Sequence, residues 1–262
     1  MRFNQVKKRT RSTLVAGASI CLAIAVSGCS SSGFSSKGSD PISTGSIGAP
    51  SLKATISSRK DWQKDPKNLR KGMIYVRQLQ ALEQHDEQLR VLEQLIVYHP
   101  DNTKLLTFYG KRLINRGQTV QAIKILRKAE SRGERDWRLY SALGSALDQT
   151  GQHTQARLEY QKALALQPNE IKIKNNLAMS YVLEGKLPRA EKILRVASET
   201  PRGRANIRIR QNLALVVGLQ GRFDEARVIA SRDLPPKQVE ANMTYLRAML
   251  AKSNTWSKLK KS

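Results

Sequence analysis

Reactive side chains are scarce in this chain. Its 262 residues include two cysteines, Cys21 and Cys29, and three histidines, His85, His99 and His153. Cys21 lies inside an N-terminal apolar run expected to be removed. One cysteine then remains, so no intramolecular disulfide can form and the fold must rest on packing. His85 and His153 hold the same place in a repeat described below, two repeats apart. Helix layers about 8–10 Å thick put them tens of ångströms from each other, whereas metal ligands sit about 2 Å from one ion. His99 stands beside Pro100, and all three histidines read as turn residues. There is no phosphate-binding glycine loop, no nucleophile elbow and no HExxH motif. No catalytic or metal-binding residue and no cofactor is therefore expected. Aromatic residues are also few, at 5%, while 26% of residues are charged. That balance fits an all-α protein with many solvated faces better than a β protein.

Acidic residues are the other shortage: 21 against 46 Lys and Arg, a formal charge of +25. Such a surface prefers anionic surroundings, and nucleic acid is the first partner to consider. The N-terminus argues against it. Arg2, Lys7, Lys8, Arg9 and Arg11 precede a mostly apolar run from Ser12 to Val26. The run is shorter than the ~20 apolar residues of a membrane span, and residues 1–28 read as a signal peptide. It ends in Val26-Ser27-Gly28-Cys29, which resembles the lipobox of bacterial lipoproteins. Small residues at 27 and 28 admit the strand to a narrow protease cleft, and the Cys29 thiolate is the nucleophile that takes the lipid. The resemblance implies that Cys29 becomes the first residue and is held to a membrane by acyl chains. Each buried methylene contributes about 0.8 kcal/mol. Ser30, rather than Asp, follows the cysteine. In Gram-negative lipoproteins that implies the periplasmic face of the outer membrane. Residues 29–58 are rich in Ser and Gly and read as a flexible tether, about 30 Å in root-mean-square reach.

Beyond the tether the chain repeats. From Trp137 come Tyr140, Leu143, Gly144 and Leu147, then Ala156, Tyr160, Ala163 and Pro168. These are tetratricopeptide spacings. A step of 34 forward reaches Leu177, Ala178, Tyr181, Gly185 and Ala190, and a step back reaches Tyr109, Gly110, Leu113, Gly117 and Ala122. Two steps back give Tyr75, Val76, Leu79 and Pro100. A fifth copy lies 36 residues beyond the fourth, with Leu213, Ala214, Val217, Gly221 and Ala226, the extra residues falling in a loop over 200–206. Small residues at the eighth and twentieth positions let the helices of a pair approach, and a glycine near the fifteenth ends the first helix. The first copy has Glu83 and Gln88 in two of these places, so its helices are expected to splay. The spacing predicts repeats near 69–102, 103–136, 137–170, 171–206 and 207–236. A capping helix over 237–251 carries Val239, Met243, Leu246 and Leu250 on one face. The segment around Trp62 is expected to cap the other end, giving a repeat domain over 59–251 and a loose basic tail over 252–262.

Function must then lie in surfaces. In the tetratricopeptide family, positions 2, 5, 9, 12 and 13 of each repeat line a concave groove for partner peptides. Position 2 is here Arg70, Lys104, Arg138, Lys172 and Arg208, basic in every repeat. Arg77 and Lys111 add to it. In the last two repeats the same face becomes apolar, with Met179, Val182, Leu183, Leu215 and Leu219. The expected site is a groove with a basic edge and an apolar C-terminal end, suited to an acidic, partly apolar segment.

Several stretches narrow the reading. Ala142-Leu143-Gly144 with Gly151-Gln152-His153, Asn176 to Tyr181, Arg210 to Gly221, and Ala241 to Leu246 resemble the TadD family. These are tetratricopeptide lipoproteins of the Tad (tight adherence) Flp pilus assembly system, and the resemblance covers most of residues 59–256. It implies a non-enzymatic scaffold for a pilus secretion apparatus, pilotin-like toward an outer-membrane secretin or its partners. Two alternatives stay open at this stage. One is a general outer-membrane assembly lipoprotein of the β-barrel type. The other is a scaffold that binds anionic envelope components by charge. Oligomeric state is not legible.

Overall fold

The computed structural model describes residues 51–259, with side chains to residue 251. Cys29, the expected signal peptide and the tether up to residue 50 lie outside the described residues. Those described form thirteen helices and no strand. After α1 (Leu52–Gln63) come five helix pairs. They are α2 (Leu69–Ala81) with α3 (His85–Tyr98), α4 (Thr103–Asn115) with α5 (Thr119–Ser131), and α6 (Trp137–Gln149) with α7 (His153–Leu166). The fourth pair is α8 (Ile171–Leu183) with α9 (Leu187–Glu199). A single turn, α10 (Pro201–Arg204), precedes the fifth pair, α11 (Ile207–Leu219) with α12 (Phe223–Ala230). The last helix is α13 (Pro236–Leu259). Each helix packs on its neighbours in chain order, and the fold is a tetratricopeptide-repeat solenoid. None of these helices is long and apolar enough to cross a membrane.

Local chemistry sets the alternation. The first helix of every pair starts at a side-chain cap: Asn68, Asn102, Asp136, Glu170 and Asn206 each accept from a backbone N–H of the first turn. Such a cap contributes about 1 kcal/mol. The second helices have no side-chain cap. They follow a tight turn in which Gly117, Gly151, Gly185 and Gly221 take φ of 74°, 77°, 72° and 82°. The residue after each glycine donates back to the carbonyl five positions earlier, closing the first helix. In the first pair Glu83 occupies this place at φ 55°. A non-glycine residue there stores on the order of 1 kcal/mol.

Close approach inside a pair depends on absent side chains. A Cβ on Gly110 would lie 2.6 Å from Leu126, and one on Gly144 would lie 2.6 Å from the Tyr160 ring. In the first pair the contact moves to Gly72, where a Cβ would lie 2.6 Å from Leu95. Gln88 is accommodated because its Nε2 donates to the Val76 carbonyl at 3.1 Å. Even so, α2 and α3 pack less extensively than any other pair. In the fourth and fifth pairs Ala178, Ala190, Ala214 and Ala226 are buried at the corresponding places, as is Ala122 in the second and Ala156 in the third. Tyr75, Tyr109, Tyr140, Leu143, Leu177 and Leu213 are buried too, and Tyr181 is partly so.

The apolar interior falls into two main clusters. One runs from Trp62 to Leu177 and the other from Ile171 to Leu246. Both ends differ from the expected boundaries. α1 begins inside the segment assigned to the tether, because Ser51 caps the Ala54 N–H and no glycine or proline follows until Pro66. It buries Trp62, whose ring lies 5.7 Å from that of Tyr75 and whose Nε1 donates to the Pro66 carbonyl. α13 runs on to Leu259, through most of the stretch expected to be a loose tail, since nothing after Pro236 interrupts a helix. Its Val239, Met243 and Leu246 are buried. The extra residues between the fourth and fifth pairs form α10, held by the Gly203 N–H donating to Thr200 Oγ1 at 3.0 Å.

Gly144→Val should lower the unfolding free energy by about 1–3 kcal/mol, because the Tyr160 ring is enclosed and cannot step aside. Urea unfolding with an unchanged slope would show it.

Candidate functional site: a row of cations on the first helices

The second residue of each first helix lies just past the cap, so the caps also set out the row of cations. Arg70, Lys104, Lys172 and Arg208 are exposed, and no carboxylate among the described residues pairs with them. Arg138 differs. Its Nη1 lies 3.1 Å from Asp136, the cap of its own helix, and its guanidinium stacks 4.6 Å from the Trp137 ring. The row thus has four open members and one engaged. Arg77 and Lys111 are partly buried, and each has an interaction of its own.

The apolar end is largely covered. Val182, Leu215 and Leu219 pack against the second core, to which Met243 and Leu246 of α13 belong. A Cβ on Gly218 would lie 2.7 Å from Leu246, so the missing side chain is what lets α13 settle on α11. Met179 is half-buried, and Leu183 alone of the five is open, at 58%. Three of the five residues expected to line the apolar end of the groove are thus partly taken up in the second core. Amides stand close by: Asn212 Nδ2 donates to Asn175 Oδ1 at 2.6 Å, linking α11 to α8.

Asp148 forms a polar hub that periodicity alone did not single out. It accepts from Ser180 Oγ at 2.7 Å and from Tyr160 at 3.1 Å, and lies 3.0 Å from His153 Nδ1. Burial, then the adjacent carboxylate, pushes the Tyr160 hydroxyl well above its ordinary pKa. Serine, histidine and aspartate meet here, but in the wrong order for nucleophilic catalysis. The serine donates to the aspartate rather than to the histidine, so nothing activates it. His85 and His153 each begin a second helix, and His99 Nε2 meets the Lys67 carbonyl at 2.6 Å. No three His, Cys, Asp or Glu side chains among the described residues are grouped to hold a metal ion.

Carboxylates concentrate instead at seams between repeats. Arg116 pairs with Asp86, Arg132 with Asp101, Arg127 with Glu159, Arg157 with Glu184, and Arg222 with Glu191. Arg195 joins the last group through Glu191 and Glu225. Hydrogen bonds from Lys186 and then Arg157 pull the Glu184 carboxyl down to about 2. Burial pushes Glu191 up, but hydrogen bonds from Gln220, Arg195 and Arg222 outweigh it and leave the net shift downward.

The family model for the tetratricopeptide repeat matches residues 137–170. No curated protein matches the chain. Among solved structures, PilW, a widely conserved type IV pilus biogenesis factor, is similar at a TM-score of 0.61 with 20% identity, over 76% of this chain and 90% of PilW. A tetratricopeptide repeat protein from Parabacteroides merdae ATCC 43184 superposes at 0.59 with 16% identity, over 74% of this chain and 76% of that one. YrrB, a repeat protein with an unusual peptide-binding site, superposes at 0.52 with 16% identity, over 68% of this chain and 95% of YrrB. At these identities the likeness is one of fold.

The lowered pKa values of Glu184, Glu191 and Glu225 make these three carboxylates stabilising above their ordinary value of 4.5. The contribution is lost as pH falls through the folded values, toward about 2 for Glu184. Stability should therefore drop between about pH 4.5 and 2. Glu184→Gln should flatten that slope by lowering the plateau above about pH 4.5 toward the acid-side value, as followed by thermal unfolding across pH.

Proposed function

We propose that this chain is a membrane-anchored scaffold of a Tad/Flp-type pilus secretion apparatus, lipidated on Cys29 and facing the periplasm from the outer membrane. The observation that carries the reading is the row of Arg70, Lys104, Lys172 and Arg208, four open cations at one position of four repeats. Cations spaced one repeat apart suit an extended acidic segment, and they act first by steering its approach. Repeat scaffolds of this fold bind protein segments rather than transform small molecules. PilW, a structural neighbour, is a pilus biogenesis factor, which agrees with the TadD resemblance in the direction of pilus assembly. The partner we favour is the secretin or a protein that escorts it.

Anchoring would do the mechanistic work. Lipid confines the row to a thin layer beside the membrane, so a weak contact acts at high effective concentration. The same anchor places the chain outside the cytoplasm, away from nucleic acid, despite its charge.

Two measurements test the proposal. Metabolic labelling with palmitate should mark the wild-type chain and leave Cys29→Ser unmarked. The triple variant K104E/K172E/R208E should lower recovery of a co-purifying secretin at least tenfold at physiological salt, with unchanged melting. Unchanged recovery would remove the cationic row from the mechanism. Loss of outer-membrane barrel insertion with intact piliation would instead select the general assembly reading. Salt-sensitive binding to envelope glycan without any protein partner would select the purely electrostatic one.

A further inference from the structure

α1 is amphipathic in an unusual sense. Its packed face is partly polar, with Thr55, Ser58 and Trp62 buried against the array. Its outer face holds the aliphatic residues: Leu52 is 65% and Ile56 47% exposed. Spacing puts Lys60 four residues past Ile56 and Lys53 three before it, so both flank Ile56 on the same stripe. Lys53, Arg59, Lys60 and Lys64 are all exposed, and no carboxylate among the described residues pairs with any of them. The nearby acids do not offset this. Asp61 lies toward the flank by helical spacing, and Asp65, past the helix end, pairs with Lys71. The opposite end of the array is different. Glu240 of α13 pairs with Arg227 of α12, and Arg247 stacks 4.9 Å from the Phe223 ring, so these charges are engaged.

We propose that the outer face of α1 is a second membrane contact, seated on an anionic lipid surface. Leu52 and Ile56 enter the headgroup boundary and the four cations meet lipid phosphates. A surface helix with aliphatic residues bracketed by Lys and Arg has the composition that binds an anionic interface. The chain path supports the same occupant. This proposal rests on the lipid-anchored reading for one point only: Cys29 precedes Ser51 by 22 positions, which as Ser/Gly-rich chain reaches about 26 Å. α1 is then the first folded element that a lipid at Cys29 brings to the bilayer. A second contact would fix the orientation of the array instead of leaving it free on its tether. The two ends of the row of open cations would then stand at different heights above the surface.

The test uses the chain from Ser30 to Ser262, which lacks the lipidated residue and contains the whole compact unit Ile47–Ser262. Binding therefore reports α1 and not the anchor, and failure of palmitate labelling at Cys29 would leave this test standing. The protein is sedimented with vesicles of pure phosphatidylcholine and of phosphatidylcholine with 30% phosphatidylglycerol. Pelleting with the anionic vesicles alone is expected, and it should be lost at 1 M salt, where the screening length is about 3 Å. K53Q/R59Q/K60Q/K64Q should bind at least tenfold more weakly. Removing the same charge at Lys124, Lys192, Arg202 and Lys237, which are also exposed, should cost less than threefold. Ile56→Ser, on the solvent side of α1, should weaken binding without altering the circular dichroism, and it decides the matter if the quadruple variant loses helix. Absence of binding to anionic vesicles, or equal weakening by both charge-removal sets, would overturn the proposal.

Discussion

The seating of Leu95 against Gly72, Leu126 against Gly110, Tyr160 against Gly144 and Leu246 against Gly218 fixes how near one helix comes to the next. A solenoid has no common centre, so each repeat is stabilised only by its neighbours. The spacing inside a pair sets the spacing between pairs, and that in turn sets where the caps fall. The second residue after each cap then recurs at the same place in every repeat. The row of open cations is thus a product of apolar packing on the far side of the same helices.

Much of the architecture was legible because it is periodic. A step of 34 residues found Gly144, Ala156 and Tyr160 in one repeat and their counterparts elsewhere, since close packing tolerates few residue types at those places. What escaped lacks that period. Gly72 admits its pair mate as Gly110 and Gly144 do, but one turn away, and Gly218 admits Leu246 of α13 and so seats that helix on α11. Helix spacing showed that α13 was amphipathic, but not which surface its apolar face would choose. The ends of α1 and α13 reach beyond the expected boundaries because Ser-rich and Lys-rich stretches look loose by composition alone yet contain no helix breaker there. A cap at Ser51 and the absence of a breaker after Pro236 were the better guides.

Charge followed a rule that could have been read in advance. Opposite charges about 30 residues apart, such as Asp86 with Arg116 or Glu191 with Arg222, sit roughly one repeat apart and face each other across a seam. Asp86, Asp101, Glu130, Glu159, Glu184, Glu191 and Glu225 are taken up in this way, and with 21 acidic residues against 46 basic ones surplus cations are left for surfaces without internal partners. Position 2 of the repeats and the outer face of α1 are two such surfaces. Arg157, Glu159 and Glu191 are buried within these seams, so the pairs set register between repeats as well as contributing to stability. Their second effect is to leave the remaining positive field uncompensated.

Leu177 belongs to the first apolar cluster and Ala178, the next residue of α8, to the second. One helix is therefore shared between two halves. Ile173 and Leu177 of this helix pack into the first cluster, Ile171 and Ala178 into the second, and Tyr181 and Ile193 lie against both. The polar contacts of Ser180 with Asp148 and of Asn175 with Asn212 fasten the same helix on either side. A disturbance at α8 is therefore felt by both halves of the interior at once.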